Sequence, residues 1–382
     1  MKIAIVHDYF IQQGGAEKVA EELHAMFPSS TLVTTVDIHK TPGIVTSWLR
    51  HLRITEKNHR LFFLLYPLAV ETLDLTEYDL IISSSSGYAK GVRKRKDAIH
   101  ICYCHTPMRW VWRFGAYAER ESFGGITKRI LPSLLAILKR WDLAASRRPD
   151  YYIANSRVVA DRIAQHYGRD SVVISPPIDT KRFKEAGTDG DFYLILSRLA
   201  PYKRLDLAVE ACKRLGRRLV VIGDGPARLD LERIAGPRTE FLGRVDDEVV
   251  AEYASRCKAL VFPGEEDFGM TPLEINAAGR PVIAFRAGGA TETVIENMTG
   301  VFFDEQEPES LMSAIEDFER RSWDRHVIRK HAETFGREVF VSSIVQFIEA
   351  VLSVSTAKEI APGRVPIRLL VPNRAGSAAA QT

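Results

Sequence analysis

Residues 263–279 read Pro-Gly-Glu-Glu-Asp-Phe-Gly-Met-Thr-Pro-Leu-Glu-Ile-Asn-Ala-Ala-Gly. They follow a short apolar run, Ala259 to Phe262, of the kind that forms a buried parallel strand. Thr271 stands before Pro272, and Glu274 comes three residues after Thr271. This predicts a helix start with Thr271 as N-cap, Pro272 at the first helical position and Glu274 closing a capping box. Gly264 and Gly269 lie in the loop between strand and helix. Strand, glycine-containing loop and helix N-terminus together make an anion site, because unbonded N–H groups and the helix dipole face whatever lies there. Two carboxylates, Glu266 and Glu274, flank it with seven residues between them. Taken singly, each has a plainer reading: Glu266 as a solvated loop acid, Glu274 as a cap residue.

The rest of the second half alternates. Tyr193 to Ser197, Leu219 to Ile222 and Pro281 to Phe285 read as further strands. Leu205 to Leu215, Ala227 to Ala235, Val249 to Arg256 and Pro272 to Ala278 read as helices. Such alternation predicts an α/β lobe, a parallel sheet wrapped by helices. The first half alternates less regularly. Strands are predicted at Ile3 to Val6, Leu32 to Thr35, Asp79 to Ser83, Ile99 to Cys104, Tyr151 to Ala154 and Val172 to Ser175. Gly14 and Gly15 separate the first strand from a helix that carries Val19, Leu23 and Met26 on one face. Pro176-Pro177-Ile178-Asp179 marks a linker. The expected domains are 1–180 and 181–339, followed by a last amphipathic helix over about 340–356 and a poorly ordered tail at 361–382.

A chain of 382 residues with 46% hydrophobic and 26% charged residues fits a soluble globular protein of two domains. The net charge of +3 is too small to argue for nucleic acid. From Lys90 to Arg148, however, 14 Lys/Arg stand against 4 Asp/Glu. With the apolar Leu61 to Val70 and a basic-rimmed apolar helix at Ile126 to Ala145, this suggests peripheral contact with an anionic membrane. Leu61 to Val70 contains Pro67 and is far shorter than the ~18 residues of a spanning helix. No signal peptide is visible, and four cysteines make no disulfide framework, so a reduced, cytoplasmic setting is expected. Cys102-x-Cys104-His105 lacks a second ligand pair for zinc, and no metal site is expected.

The string from Glu266 to Gly279 resembles the signature of family 4 of the retaining glycosyltransferases, E-G-F-G-x-x-P-L-E-A-x-A-x-G, with Asp267 for the usual Gly and Ile275 for the usual Ala. A second string, Cys104-His-Thr-Pro-Met-Arg-Trp110, resembles a subgroup that makes bacterial surface polysaccharides, many of its members mannosyltransferases. The resemblance is good over Tyr193 to Gly300 and Ile101 to Trp110, and thin over Thr41 to Tyr78 and after Gly336. It implies the GT-B fold: two Rossmann-like lobes facing each other across a cleft, acceptor lobe first and nucleotide-sugar lobe second, with a C-terminal helix crossing back.

The resemblance also assigns a site. Arg198 and Lys203, in Ser-Arg-Leu-x-Pro-Tyr-Lys, would hold the donor diphosphate in place of a metal ion. Their plainer reading is as solvated surface cations. Gly14 and Gly15 would approach that diphosphate, with Gly223 at a matching strand-end turn. Backbone atoms near Val245 would read the base. Glu274 would accept from ribose hydroxyls, and backbone N–H groups of Phe268, Gly269, Met270 and Thr271 would face sugar or phosphate. Glu266 and His105 are the candidate catalytic residues, on either side of the sugar. The implied activity is retaining transfer of a sugar, foremost mannose from GDP-mannose, to a polyprenyl-diphosphate-linked saccharide, without cofactor. Two alternatives remain: another GT-B chemistry, such as an epimerase or an inverting transferase, and a non-catalytic sugar-nucleotide binder.

Overall fold

The computed structural model describes residues 1–12, 14–112, 125–183 and 189–357. The tail expected at 361–382 and the side chains up to 130 of the helix expected at 126–145 lie outside the described residues. The first sheet has seven parallel strands: β1 (Ile3–His7), β2 (Thr31–Thr34), β3 (Val45–Thr46), β4 (Leu80–Ser85), β5 (Ile99–Cys104), β6 (Tyr151–Ala154) and β7 (Val172–Val173), in the order β3-β2-β1-β4-β5-β6-β7. The second has six: β8 (Tyr193–Leu196), β9 (Leu219–Ile222), β10 (Thr239–Gly243), β11 (Leu260–Phe262), β12 (Val282–Phe285) and β13 (Gly300–Phe303), in the order β10-β9-β8-β11-β12-β13. Each sheet is wrapped by helices, and the strand order reverses beside its first strand, the place where open parallel sheets leave a crevice at the carboxyl ends.

The central strands match the sequence reading because they are continuous β-branched and aromatic runs buried on both faces. Two strands of the second sheet were not anticipated. β10 is a half-exposed edge strand, so Arg238, Thr239 and Glu240 dilute its apolar run. β13 is four residues long and opens on Gly300, whose missing Cβ lets it lie against Val282. β7 is cut to two residues by the prolines that follow.

The last helix, Arg337–Ala357, buries Phe340, Ile344, Phe347, Ile348 and Val351 in the core of the first lobe, among Ile3, Ile99, Ile101, Tyr103 and Ile153. These positions recur at helical spacing and form one apolar stripe. Tyr103 meets Phe340 edge-on at 5.9 Å, and its hydroxyl donates to the Ile174 carbonyl at 2.9 Å. The outgoing linker and the returning chain pair where they cross, with Ile178 N–H bonded to the Phe335 carbonyl at 3.0 Å.

One part of the basic stretch is not surface at all. Lys90 is 1% exposed and pairs with buried Asp142 at 2.6 Å, an acid that also accepts from Trp112 and Tyr167. An ammonium taken out of water persists only with such partners, so Lys90 fastens the helix Gly125–Ala145 to the loop after β4 and leaves the presumed basic face.

Ile344→Ala should cost about 2–5 kcal/mol. The loss is read from denaturant midpoints followed by tryptophan fluorescence. An unchanged midpoint would contradict the placement of this helix.

Candidate active site

The sequence-predicted residues gather where the strands of both sheets end. Gly14 and Gly15 follow β1, and His105 follows β5. Arg198 follows β8, Gly223 follows β9, Val245 follows β10 and Glu266 follows β11. The two sets face each other. A Cβ added to Gly15 would lie 2.8 Å from Met270 Sδ, so the glycine loop of one lobe meets the helix start of the other. Glu17 holds that loop from behind, its Oε1 accepting the N–H groups of Ile11 and Gln12 at 2.9 and 2.8 Å.

The helix starts earlier than the capping box predicts. It spans Met270–Ala277, and its N-cap is Gly269 at φ +84°, not Thr271. A left-handed residue turns the chain into the helix at Gly269, a conformation that glycine adopts without steric cost. Glu274 is therefore the fifth helical residue and does not cap. Burial raises its pKa, against the pull of Lys18 and Arg182. Phe268 turns its side chain into a small core with Ile178 and Leu273, leaving only its backbone to the cleft. Among the described residues, the N–H groups of Phe268, Gly269, Met270 and Thr271 donate no hydrogen bond.

The two cations, Arg198 and Lys203, lie on the connection that follows β8. Lys203 Nζ pairs with Glu266 Oε1 and is 17% exposed. Burial alone would lower the lysine's pKa, but Glu266 and Tyr202 reverse this and hold it above its ordinary value. Arg198 Nη1 reaches across to Gln12 Oε1 of the first lobe at 3.2 Å. Close backbone approaches fix both. A Cβ on Gly264 would meet Lys203 Cα at 2.9 Å, and Gly223, at φ +130°, lies against the Ser197 carbonyl.

Several participants escaped the sequence reading. Asp267, standing where the family signature has Gly, accepts from Arg109 Nη2 at 2.6 Å and from Arg162 Nη1, while Ser156 Oγ donates to its carbonyl at 2.7 Å. Burial would raise the Asp267 pKa, but the two arginines pull it below the ordinary value. Arg162 also pairs with Glu265 at 3.0 Å, and Glu292 receives the N–H groups of Arg157 and Val158 at 2.9 and 3.1 Å. Beyond Val245's neighbour, Arg244 reaches Glu56 of the first lobe at 3.0 Å. Gly288 and Gly289 press on the Glu266–Phe268 backbone, and Gly289 N–H donates to the Glu266 carbonyl at 2.8 Å. The Ala-Gly-Gly-Ala string at 287–290 was the one available signal for that contact.

His105 is 8% exposed, and its Nε2 lies 2.8 Å from Ser84 Oγ. Burial, then His7, drives its pKa down to about 3, so it is neutral at ordinary pH. Another hollow, about 650 Å³, opens at the opposite ends of the second sheet's strands, between Asp189, Arg217, Lys258 and Arg280. These cations are paired with Asp189, Asp191 and Glu319, as a solvated charged surface requires.

Comparison with known proteins agrees with this layout. Residues 13–182 match the model described as Glycosyltransferase Family 4, and residues 177–335 that described as Glycosyl transferases group 1. An uncharacterized glycosyltransferase of Methanocaldococcus jannaschii is 26% identical over 199 residues, 51% of this chain and 56% of that one. The GDP-mannose-dependent alpha-(1-6)-phosphatidylinositol monomannoside mannosyltransferase of Mycolicibacterium smegmatis is 28% identical over 194 residues, 42% of this chain and 51% of that one. The chain spans about half the length of these curated relatives. Among solved structures, Anabaena HepE in complex with UDP and glucose has a similar fold, with a TM-score of 0.66 at 19% identity over 91% of this chain and 99% of that one. The fold is GT-B. The chain belongs to the family 4 type of GT-B glycosyltransferases, its second lobe matching group 1.

Gly289→Ala should displace the Glu266–Phe268 loop, since a Cβ there would enter the Phe268 backbone. Cleavage within residues 265–271 by limited proteolysis should rise while the thermal transition persists; unchanged cleavage would contradict the close packing of Gly289 on this loop. A second expectation concerns pH. The pKa values of His100 and His105 fall to about 3, both chiefly through burial, and burial lowers His7 also. Unfolded histidines bind protons below about 6.5, and these folded ones do not. Stability from this source is complete above pH ~6.5 and declines as pH falls towards the folded values. Melting temperatures should drop from pH 6.5 to 5, where most carboxylates are ionised in both states; a flat profile would contradict the burial of these rings.

Proposed function

We propose that this chain is a retaining hexosyltransferase that moves mannose from GDP-mannose to a polyprenyl-diphosphate-linked saccharide in the making of a bacterial surface polysaccharide. The carrying observation is the cradle of four undonated N–H groups at Phe268 to Thr271, with Lys203 beside it through Glu266 and Gly15 opposite Met270. Negative charge develops on the departing diphosphate, and preorganised N–H dipoles and cations stabilise it most in a water-poor cleft. Arg198 and Lys203 take the role that a divalent ion has in other transferases. Glu274 accepts from ribose hydroxyls. Glu266 holds sugar hydroxyls while keeping Lys203 oriented, since an ammonium has three donors to share. His105, kept neutral by its surroundings, contacts the sugar from the first lobe.

GDP-mannose as donor is favoured by the mycobacterial relative's name and by the Cys104-to-Trp110 resemblance. The UDP bound to HepE supports a nucleotide-diphosphate donor and makes UDP-sugars the competing choice. Contact with an anionic membrane fits the first lobe, where Leu61 is 80% and Leu68 58% exposed, and where Arg53 and Lys57, a few positions before Leu61 in the chain, are exposed as well. No described helix is long and apolar enough to cross a membrane.

Mass spectrometry of reactions offered mixed GDP- and UDP-sugars should show a mannosyl product that persists in excess chelator. Product with a UDP-sugar alone would replace the donor, and inverted anomeric configuration would replace the chemistry. Arg198→Ala and Lys203→Ala should each reduce kcat roughly ten- to hundred-fold, as expected for a lost charge-assisted contact of about 1.5–3 kcal/mol. Undiminished activity in both variants would refute the site.

A further inference from the structure

His7 belongs to the His-Asp-Tyr-Phe string at the end of β1, to which the proposed transfer gives no task. Parallel pairing sets His7 opposite Ser84 of β4, and His105 N–H bonds to the next carbonyl, that of Ser85, at 2.9 Å. Three side chains from three adjacent strand ends thus meet: His7 at 3% exposure, Ser84 at 0% and His105 at 8%.

Their hydrogen bonds can be directed from elementary chemistry. His7 Nδ1 lies 3.0 Å from the Ser84 carbonyl oxygen. A carbonyl only accepts, so His7 carries its proton on Nδ1. The same N–H lies 3.1 Å from Ser84 Oγ and donates there as well. Ser84 has one hydroxyl proton to give. His105 Nε2 is 2.8 Å away, and the other acceptor, the Ala16 carbonyl, is at 3.5 Å. The shorter bond takes the proton, so His105 Nε2 accepts. A neutral imidazole that accepts on one nitrogen carries its proton on the other. Nδ1 of His105 has no partner among the described residues.

We propose that Ser84, oriented by His7, fixes His105 as the tautomer protonated on Nδ1, so that the ring offers an N–H and not a lone pair to an oxygen of the bound sugar donor. Ser84 and His7 are then positioning residues that act through His105. Burial, which keeps both rings neutral, agrees with this arrangement, since a protonated His105 could not accept from Ser84. The inference rests on the reading of the cleft as a sugar-nucleotide site, but its central statement, the tautomer, is measurable without turnover.

Long-range proton–nitrogen correlation spectra of the full-length protein with nitrogen-labelled histidine report the tautomer directly. The His105 signals are identified by their loss in His105→Asn. Expected is a protonated Nδ1 and an unprotonated Nε2; the opposite pattern overturns the proposal whatever the activity. Ser84→Ala should mix the two forms and lower kcat roughly ten- to hundred-fold with little change in donor KM, the size expected for one hydrogen bond misdirected in the transition state. If Ser84→Ala does not fold, a second pair decides. The amide nitrogen of Asn stands where Nδ1 stands, and that of Gln where Nε2 stands. His105→Asn should therefore retain at least roughly ten-fold more kcat than His105→Gln; equal losses overturn the donor role. If the wild type transfers no sugar at all, the proposed function falls, and the wild-type spectrum still decides the tautomer.

Discussion

The structure turns on the loop from Phe268 to Thr271, whose four backbone N–H groups donate no hydrogen bond among the described residues. Amides hidden from both water and partner are costly, so a chain keeps them undonated only where a ligand or solvent can reach. The loop from Phe268 to Thr271 must then be fixed from behind. Phe268 anchors it in apolar contact with Ile178 and Leu273, and Gly288 and Gly289 let a neighbouring turn press against its backbone. Pro272 adds rigidity in the first turn, where its missing N–H forfeits no helical bond. The charge of Lys203 is stationed at the same place by Glu266.

The lobes are joined in two chemically different ways. At the crossover, Phe340, Ile344 and Phe347 are apolar and buried, and separating them would expose hydrocarbon to water. At the cleft the contacts are polar: Arg109 and Arg162 on Asp267, Arg198 on Gln12, Arg244 on Glu56. Polar contacts exchange with water at small net cost, whereas a stripped core does not. Asp267 and Arg162 are the deeply covered pair of the polar set, and with both arginines removed Asp267 would be a buried charge without compensation.

Local signals in the chain carried much of this. Runs such as Ile99 to Cys104 and Leu219 to Ile222 are long enough in β-branched and apolar residues to define central strands by themselves. Weak edge strands were lost in the same reading, because β10 is half exposed and its composition resembles a turn. The helix start was misplaced by two residues, since Thr-Pro is a strong cap signal and the left-handed Gly269 that supersedes it leaves no distinct pattern in sequence.

Spacing along the chain therefore determined the central strands of the two parallel sheets and the loop between β11 and its helix. Only the folded arrangement decided that Lys203 rests on Glu266, that Lys90 is buried against Asp142, and that Asp267 receives arginines lying 158 and 105 positions away. It alone put His7, Ser84 and His105 in one hydrogen-bonded row. Strand and helix signals are local, set by side-chain period and backbone preference, so a short window holds them. Ion pairs and proton positions depend on which distant side chains share a volume closed to water, and no window of sequence contains that.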